Sequence, residues 1–167
     1  NPRLANVVIT QYGGPNGELG ASLRYLSQRY TMPDEVSKGL LTDIGTEELA
    51  HLEIVGSLVA QLSKNAPPKE WSEMGSWEYY SDNGASVFPQ SSQGSPFNAA
   101  SIAVTGDPLT NLYEDLAAEQ KARAVYDNIL KLSDDPDVNK VIKFLRQREV
   151  VHFQRFGEAI LTHSNRF

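Results

Sequence analysis

Glu48-Leu49-Ala50-His51 and Glu149-Val150-Val151-His152 place two of the chain's three histidines three residues after a glutamate, each within a long amphipathic stretch. On a helix, residues i and i+3 project from one face, so each motif aims a carboxylate and an imidazole at one point. Chance would supply about 0.2 such pairs in a chain of this composition, so two of them demand a cause. The chemistry they suit is a two-metal carboxylate site. A lone Glu-x-x-His is more often a surface pair or a satisfied core histidine. Two on core-facing stripes reverse that reading, because burying four carboxylates and two imidazoles without a cation costs several kcal/mol for each unpaired charge.

Helices must position these groups, and four can be read. The first stretch runs from Leu4 to about Tyr30, is broken at Gly13-Gly14-Pro15, and has its ordered core from Asn16. The second begins at Pro33 and runs to about Lys64, with Leu41, Ile44, Glu48, His51, Val55, Leu58 and Leu62 on its inward stripe. Residues 66–110 carry no sustained helical period and read as one long crossover, anchored to the bundle by Trp71, Trp77, Tyr79, Tyr80, Phe88 and Phe97. The third helix starts after Asn111 as cap and runs to about Leu132. After the Asp134-Asp135-Pro136 turn, the fourth reaches about Thr162, with Val141, Leu145, Glu149, His152, Phe156 and Ala159 inward. Short links within pairs and a long link between them predict an all-α, ferritin-like four-helix bundle of two antiparallel pairs, one domain over residues 1–167.

A dinuclear site in such a bundle takes one Glu from each of the other two helices. Glu18 is the only acidic residue before Asp34. On the third helix, Glu119 shares a face with Leu112, Leu116, Ala122 and Tyr126, whereas Glu114 aligns with Ala118 and Lys121 toward a polar side; Glu119 is preferred over Glu114 and Asp115. Glu47 and Glu53 read as solvated or outer partners of the second-helix motif. Arg146, Arg148 and Arg155 read either as partners for outer carboxylates or as solvated, and His163 as a surface residue near the terminus.

Composition narrows the classes further. The absence of cysteine removes disulfides and thiolate ligands and points to a hard or borderline metal. A net charge of -6 without a basic cluster argues against nucleic acid. No apolar run approaches the roughly 20 residues of a membrane span, and the start lacks a signal peptide, so a cytoplasmic location is expected.

Gln11-Tyr12-Gly13-Gly14-Pro15-Asn16-Gly17-Glu18-Leu19 and Thr42-Asp43-Ile44-Gly45-Thr46-Glu47-Glu48-Leu49-Ala50-His51-Leu52-Glu53 resemble the first two metal-binding helices of the manganese catalase family. Ala117-Ala118-Glu119 with Ala122-Arg123, the Ser133-Asp134-Asp135-Pro136 turn and Arg148-Glu149-Val150-Val151-His152 resemble its second pair. The resemblance implies Glu18, Glu48, His51, Glu119 and His152 as ligands of two manganese ions, with Glu48 bridging, and a catalase that disproportionates hydrogen peroxide in oxidative-stress protection. It makes Glu149 the proton acceptor and donor, whereas the generic bundle pattern would make it a ligand; both roles stand open. Tyr25 matches a tyrosine that hydrogen-bonds the carboxylates. Some members carry arginine where this chain has Ala118, and the short chain looks more like the spore-coat, CotJC-type members than like the larger enzymes. The resemblance further implies a homo-oligomer, a hexamer in form. The alternatives are a spore-coat structural protein with coat partners and a stabilising or weakly active site, or an iron oxidase of the ferritin kind with iron in place of manganese.

Overall fold

The computed structural model describes residues 1–164, and among these the regular structure is helical. Asn1 caps α1 (Pro2–Val8) by accepting from Leu4 N, and α2 (Thr10–Gly13) follows after a slight irregularity at Ile9. The chain then breaks at Gly14, as the glycine-proline sequence predicts, and α3 (Glu18–Gln28) starts from an extended Gly17. Next come α4 (Glu35–Ser63), the short α5 (Pro68–Glu73) and α6 (Trp77–Asn83), then α7 (Pro108–Leu132) and α8 (Pro136–Ser164).

Several ends differ from the sequence expectation for local reasons. Asp34 caps α4 through Ser37 N, which leaves Pro33 outside the helix. Asp107 caps α7 through Thr110 N with Pro108 in its first turn, one turn earlier than expected. Asn111 is therefore interior and fully buried, and its side-chain oxygen accepts from the Thr105 backbone and hydroxyl instead. Asp135 does what the turn suggested, accepting from Asp137 N and Val138 N at the start of α8.

Two apolar clusters fix the directions of the long helices. One joins Val8, Val55, Leu58, Tyr126, Ile129, Ile142 and Leu145; the other joins Tyr25, Leu41, Ile44, Leu112, Phe156 and Ile160. Helix α4 enters the second cluster first and leaves through the first, and α8 runs the opposite way. Helices α3 and α4 pair, as do α7 and α8. Because α7 begins at the end where α4 also begins, α4 and α7 run parallel. The connection between them must travel back along the bundle, roughly 40 Å for helices of this length. That is the ferritin-like arrangement, and it explains why the crossover is long.

The crossover is not irregular throughout, since α5 and α6 form within it. They are held by Trp71, which is buried and stacks on Tyr79 with ring centroids 5.5 Å apart. Of the six aromatics expected to anchor it, Trp77 is 59% exposed and Phe88 also faces out. His163 likewise corrects the sequence reading: it is buried, and its Nε2 lies 2.6 Å from Ser37 Oγ, tying the end of α8 to the start of α4. At Gly13 the crossover lies directly on α2, and a Cβ there would stand 2.3 Å from Gln90 N and from Pro89 carbonyl carbon. Gly13→Ala is therefore expected to destabilise the protein by about 1–3 kcal/mol, read as a lowered denaturation midpoint at unchanged slope.

Candidate metal centre

Each of the four long helices brings a carboxylate to the layer between the two apolar clusters. On α4, Glu48 and His51 fall between Ile44 and Val55; on α8, Glu149 and His152 fall between Leu145 and Phe156. Glu119 takes the same level on α7. Glu18 reaches it as the first residue of α3, because the tight passage from Gly14 to Gly17 ends the preceding helix just there. All six side chains are almost wholly buried, Glu48 and His152 at 0% exposure.

Their ligand atoms converge as two overlapping groups, Glu18, Glu48, His51 and Glu149 in one, and Glu48, Glu119, Glu149 and His152 in the other, with all atoms of a group within 4.8 Å of one another. Glu48 lies between the imidazoles: its Oε2 is 2.8 Å from His51 Nδ1 and its Oε1 is 2.8 Å from His152 Nδ1. Glu119 Oε2 is 3.5 Å from His152 Nδ1, and Glu18 Oε2 is 3.9 Å from His51 Nδ1. Glu149 belongs to both groups, with Oε1 4.0 Å from His51 Nδ1. All five residues expected as ligands, and Glu149, are thus brought together. Asp115 is as deeply buried but joins neither group, and Glu114 pairs with Lys121 at the surface.

Hydrogen bonding leaves this cluster unsatisfied. Glu48 Oε1, Glu119 Oε2, Glu149 Oε1 and both ring nitrogens of His152 have no aligned partner, although His152 Nδ1 and Glu48 Oε1 are at contact distance, whereas His51 Nδ1 and Glu48 Oε2 are hydrogen-bonded at 2.8 Å. Atoms that approach closely without pointing hydrogens at each other are aimed at a common centre. Buried orphans of this kind are costly unless a cation satisfies them, so the residues fit a pair of hard or borderline metal ions.

Two tyrosines cross between the helix pairs to hold the outer carboxylates. Tyr25 of α3 donates to Glu119 Oε1 at 2.5 Å, and Tyr126 of α7 donates to Glu18 Oε1. The sequence reading named Tyr25 and missed the role of Tyr126. The signal was present, because each tyrosine stands seven residues after the glutamate of its own helix and bonds the glutamate of the other.

Electrostatics follow from burial. Desolvation, then the charge of Glu48, holds the Glu18 carboxyl well above its ordinary range. Glu149 is raised likewise by burial and then by Glu119 and Glu48, and Glu48 by burial and then Glu119. Burial would lower His152, but the close carboxylates of Glu119 and Glu48 outweigh it and push the imidazole up to about 11. His51 goes down, chiefly through burial. Protons on these groups compete with cations. Manganese affinity is therefore expected to rise as pH is raised above the ordinary carboxylate range, about tenfold per unit for each proton displaced, and to go on rising past neutrality because His152 holds its proton to about 11. Titration calorimetry in buffers of different ionisation enthalpy measures that proton release directly.

A small space borders the cluster. A small cavity of about 10 Å³, room for one water-sized molecule, is lined by Glu149, Tyr25, Ala21, Arg24, Ala118 and Lys121, among others. Ala118 thus lines the same small cavity as Glu149.

A family model described as manganese containing catalase matches residues 1–167. The sequence is 52% identical over 160 residues to Protein CotJC of Bacillus subtilis (strain 168), covering 96% of this chain and 84% of that protein. It is 38% identical over 160 residues to a probable manganese catalase of Clostridium acetobutylicum, covering 96% and 71%. Among solved structures, the manganese catalase KatB from Anabaena PCC7120 superposes with a TM-score of 0.89 at 32% identity, covering 98% of this chain and 74% of that one.

Proposed function

The chain belongs to the family of manganese-containing catalases, and from that premise we propose that it holds two manganese ions and disproportionates hydrogen peroxide to water and dioxygen. The observation that carries the reading is the pair of overlapping groups that share Glu48 and Glu149, with their inward atoms unpartnered. Glu18 and His51 would hold one ion, Glu119 and His152 the other, and Glu48 would bridge them. A bound manganese pair supplies the two-electron redox change and the Lewis acidity that peroxide disproportionation needs.

The protein's own groups then have distinct tasks. Glu149, which faces the small cavity, accepts a proton from entering peroxide and returns it to the departing oxygen. Its withdrawal from water, and then the charges of Glu119 and Glu48, raise its proton affinity above that of an ordinary carboxylate, which suits a group that takes up a proton and gives it back. Tyr126 and Tyr25 keep Glu18 and Glu119 in one orientation while charge at the centre changes. The cavity beside Ala118 and Tyr25 has room for no more than one water-sized molecule next to Glu149, which keeps bulk water from the centre.

Metal analysis of the protein as purified, with dioxygen evolution from peroxide measured after manganese loading, tests the proposal. Two manganese per chain with rapid evolution is the expected result; stoichiometric metal without evolution would overturn the enzymatic reading. The 52% identity to Protein CotJC favours a second one, a spore-coat protein whose site mainly stabilises the fold. Immunoblots of coat extracts against cytoplasmic fractions separate the two locations. Anomalous scattering at the manganese and iron edges distinguishes iron as the resident metal, and light scattering gives the expected homo-oligomer, a hexamer, its mass.

A further inference from the structure

Glu48 has a neighbour whose carboxylate does on the outer side of the imidazole pair what Glu48 does on the inner side. Glu47 Oε1 lies 3.4 Å from His51 Nε2, and Glu47 Oε2 lies 3.1 Å from His152 Nε2, close approaches of charge that are not aligned as hydrogen bonds. The two rings are stacked, with centroids 5.7 Å apart and planes 19° from parallel, so their outer nitrogens stand side by side within the span of one carboxylate. Arg148 donates to both oxygens of Glu47, from Nε at 2.6 Å and from a terminal nitrogen at 3.2 Å. The fork fixes the plane of the carboxylate and neutralises it.

We infer that Glu47, clamped by Arg148, is a positioning residue that sets both histidines at once, holding the ring hydrogen of each on Nε2 and turning each Nδ1 lone pair inward. This rests on the metal-site reading above and goes beyond it. A neutral imidazole carries one N–H, and the nitrogen that binds a metal must be the other. An ionised carboxylate only accepts, so beside both Nε2 atoms it favours the same tautomer in both rings. Histidine ligands commonly have such an outer partner. Here a single carboxylate serves two of them, so the halves of the centre share one orienting group. The bland alternative is a partly exposed ion pair that merely fastens α4 to α8. It predicts a loss of stability without a change in the imidazoles.

The test uses full-length protein with Glu47→Ala and Glu47→Gln. The glutamine keeps the volume but offers one acceptor oxygen and a donor amide, so it cannot accept from both rings. Manganese titration is expected to show affinity lowered about 10–100-fold at both sites in Glu47→Ala, with the melting temperature of metal-free protein nearly unchanged. Imidazole nitrogen chemical shifts of zinc-loaded protein are expected to report Nδ1 coordination in the wild type and mixed Nδ1 and Nε2 coordination in Glu47→Ala. Arg148→Met, which removes the clamp and leaves Glu47, is expected to give a smaller loss in the same direction. Wild-type protein that takes up no manganese overturns both the metal reading and this inference. Wild type with two ions beside Glu47→Ala and Glu47→Gln proteins of unchanged affinity and unchanged nitrogen shifts overturns the inference alone.

Discussion

Glu48→Gln is expected to retain neither manganese ion at stoichiometry and to lose dioxygen evolution by on the order of 10³-fold or more, the behaviour of a group whose removal disables a whole unit. The reason is its place between the two histidines, 2.8 Å from each Nδ1, and its membership of both ligand groups. An amide of the same shape can present one oxygen but cannot bridge two cations or offset their charge. Glu18 and Glu119 each belong to only one of the two groups, so replacing either is expected to leave part of the binding.

The same substitution should act in the opposite direction on the metal-free fold. Burial and the charge of Glu119 raise the Glu48 carboxyl, so the folded state binds its proton more tightly than the unfolded chain does. Stability from such a group is full below the ordinary carboxylate pKa and is lost as pH rises through the folded value. Above the ordinary carboxylate pKa the Glu48 carboxyl is therefore a cost to the metal-free fold, and the neutral amide relieves it. Calorimetry should find the Glu48→Gln protein without metal melting at or a few degrees above the wild type. Added manganese should raise the wild-type transition and leave the variant's in place. A variant that keeps both ions and full turnover would sink the bridging role.

What was legible in the sequence was what repeats along one helix. Glu48, His51, Glu149 and His152 announce themselves by a three-residue spacing on apolar stripes, and Glu18 by having no acidic rival on its helix. Facial alignment separates Glu119 from Glu114 but not from Asp115, one turn earlier on the same helix. Asp115 and Glu119 are both buried, and only Glu119 reaches the ligand groups. Groups that act across helices were harder to see. Glu47 sits one position off the inward stripe of α4, and nothing in its own helix says that Arg148 of α8 will meet it. The bonds of Tyr126 and Tyr25 cross between helix pairs, so only the repeated seven-residue offset hinted at them. The start of α7 was misplaced because Asn111 and Asp107 are both good caps, and the Pro after Asp107 decides between them. His163 misled for a tertiary reason: the last turn of α8 is covered by the first turn of α4, and proximity to a terminus carries no trace of that.

Glu149→Gln should separate the two roles that the sequence left open for this residue. Its carboxylate is buried, its Oε1 has no hydrogen-bond partner, and it borders the small cavity from which a peroxide would approach. If it moves protons, glutamine preserves shape and hydrogen-bonding capacity while removing the proton-carrying site. Manganese content should then stay near two per chain, and kcat should fall about 10²–10⁴-fold, or roughly 3–5 kcal/mol in the barrier. If it is a ligand, as the generic bundle pattern would have it, metal content and turnover should fall together, because Glu149 belongs to both ligand groups. Burial favours the first outcome, since desolvation and then the charges of Glu119 and Glu48 raise the proton affinity of this carboxyl above the ordinary range, as a proton carrier needs. The decisive comparison is metal analysis and dioxygen evolution on the same preparation. Full turnover with both ions bound would remove Glu149 from the mechanism and leave peroxide deprotonation to another group at the cavity, where Tyr25 and Lys121 also stand.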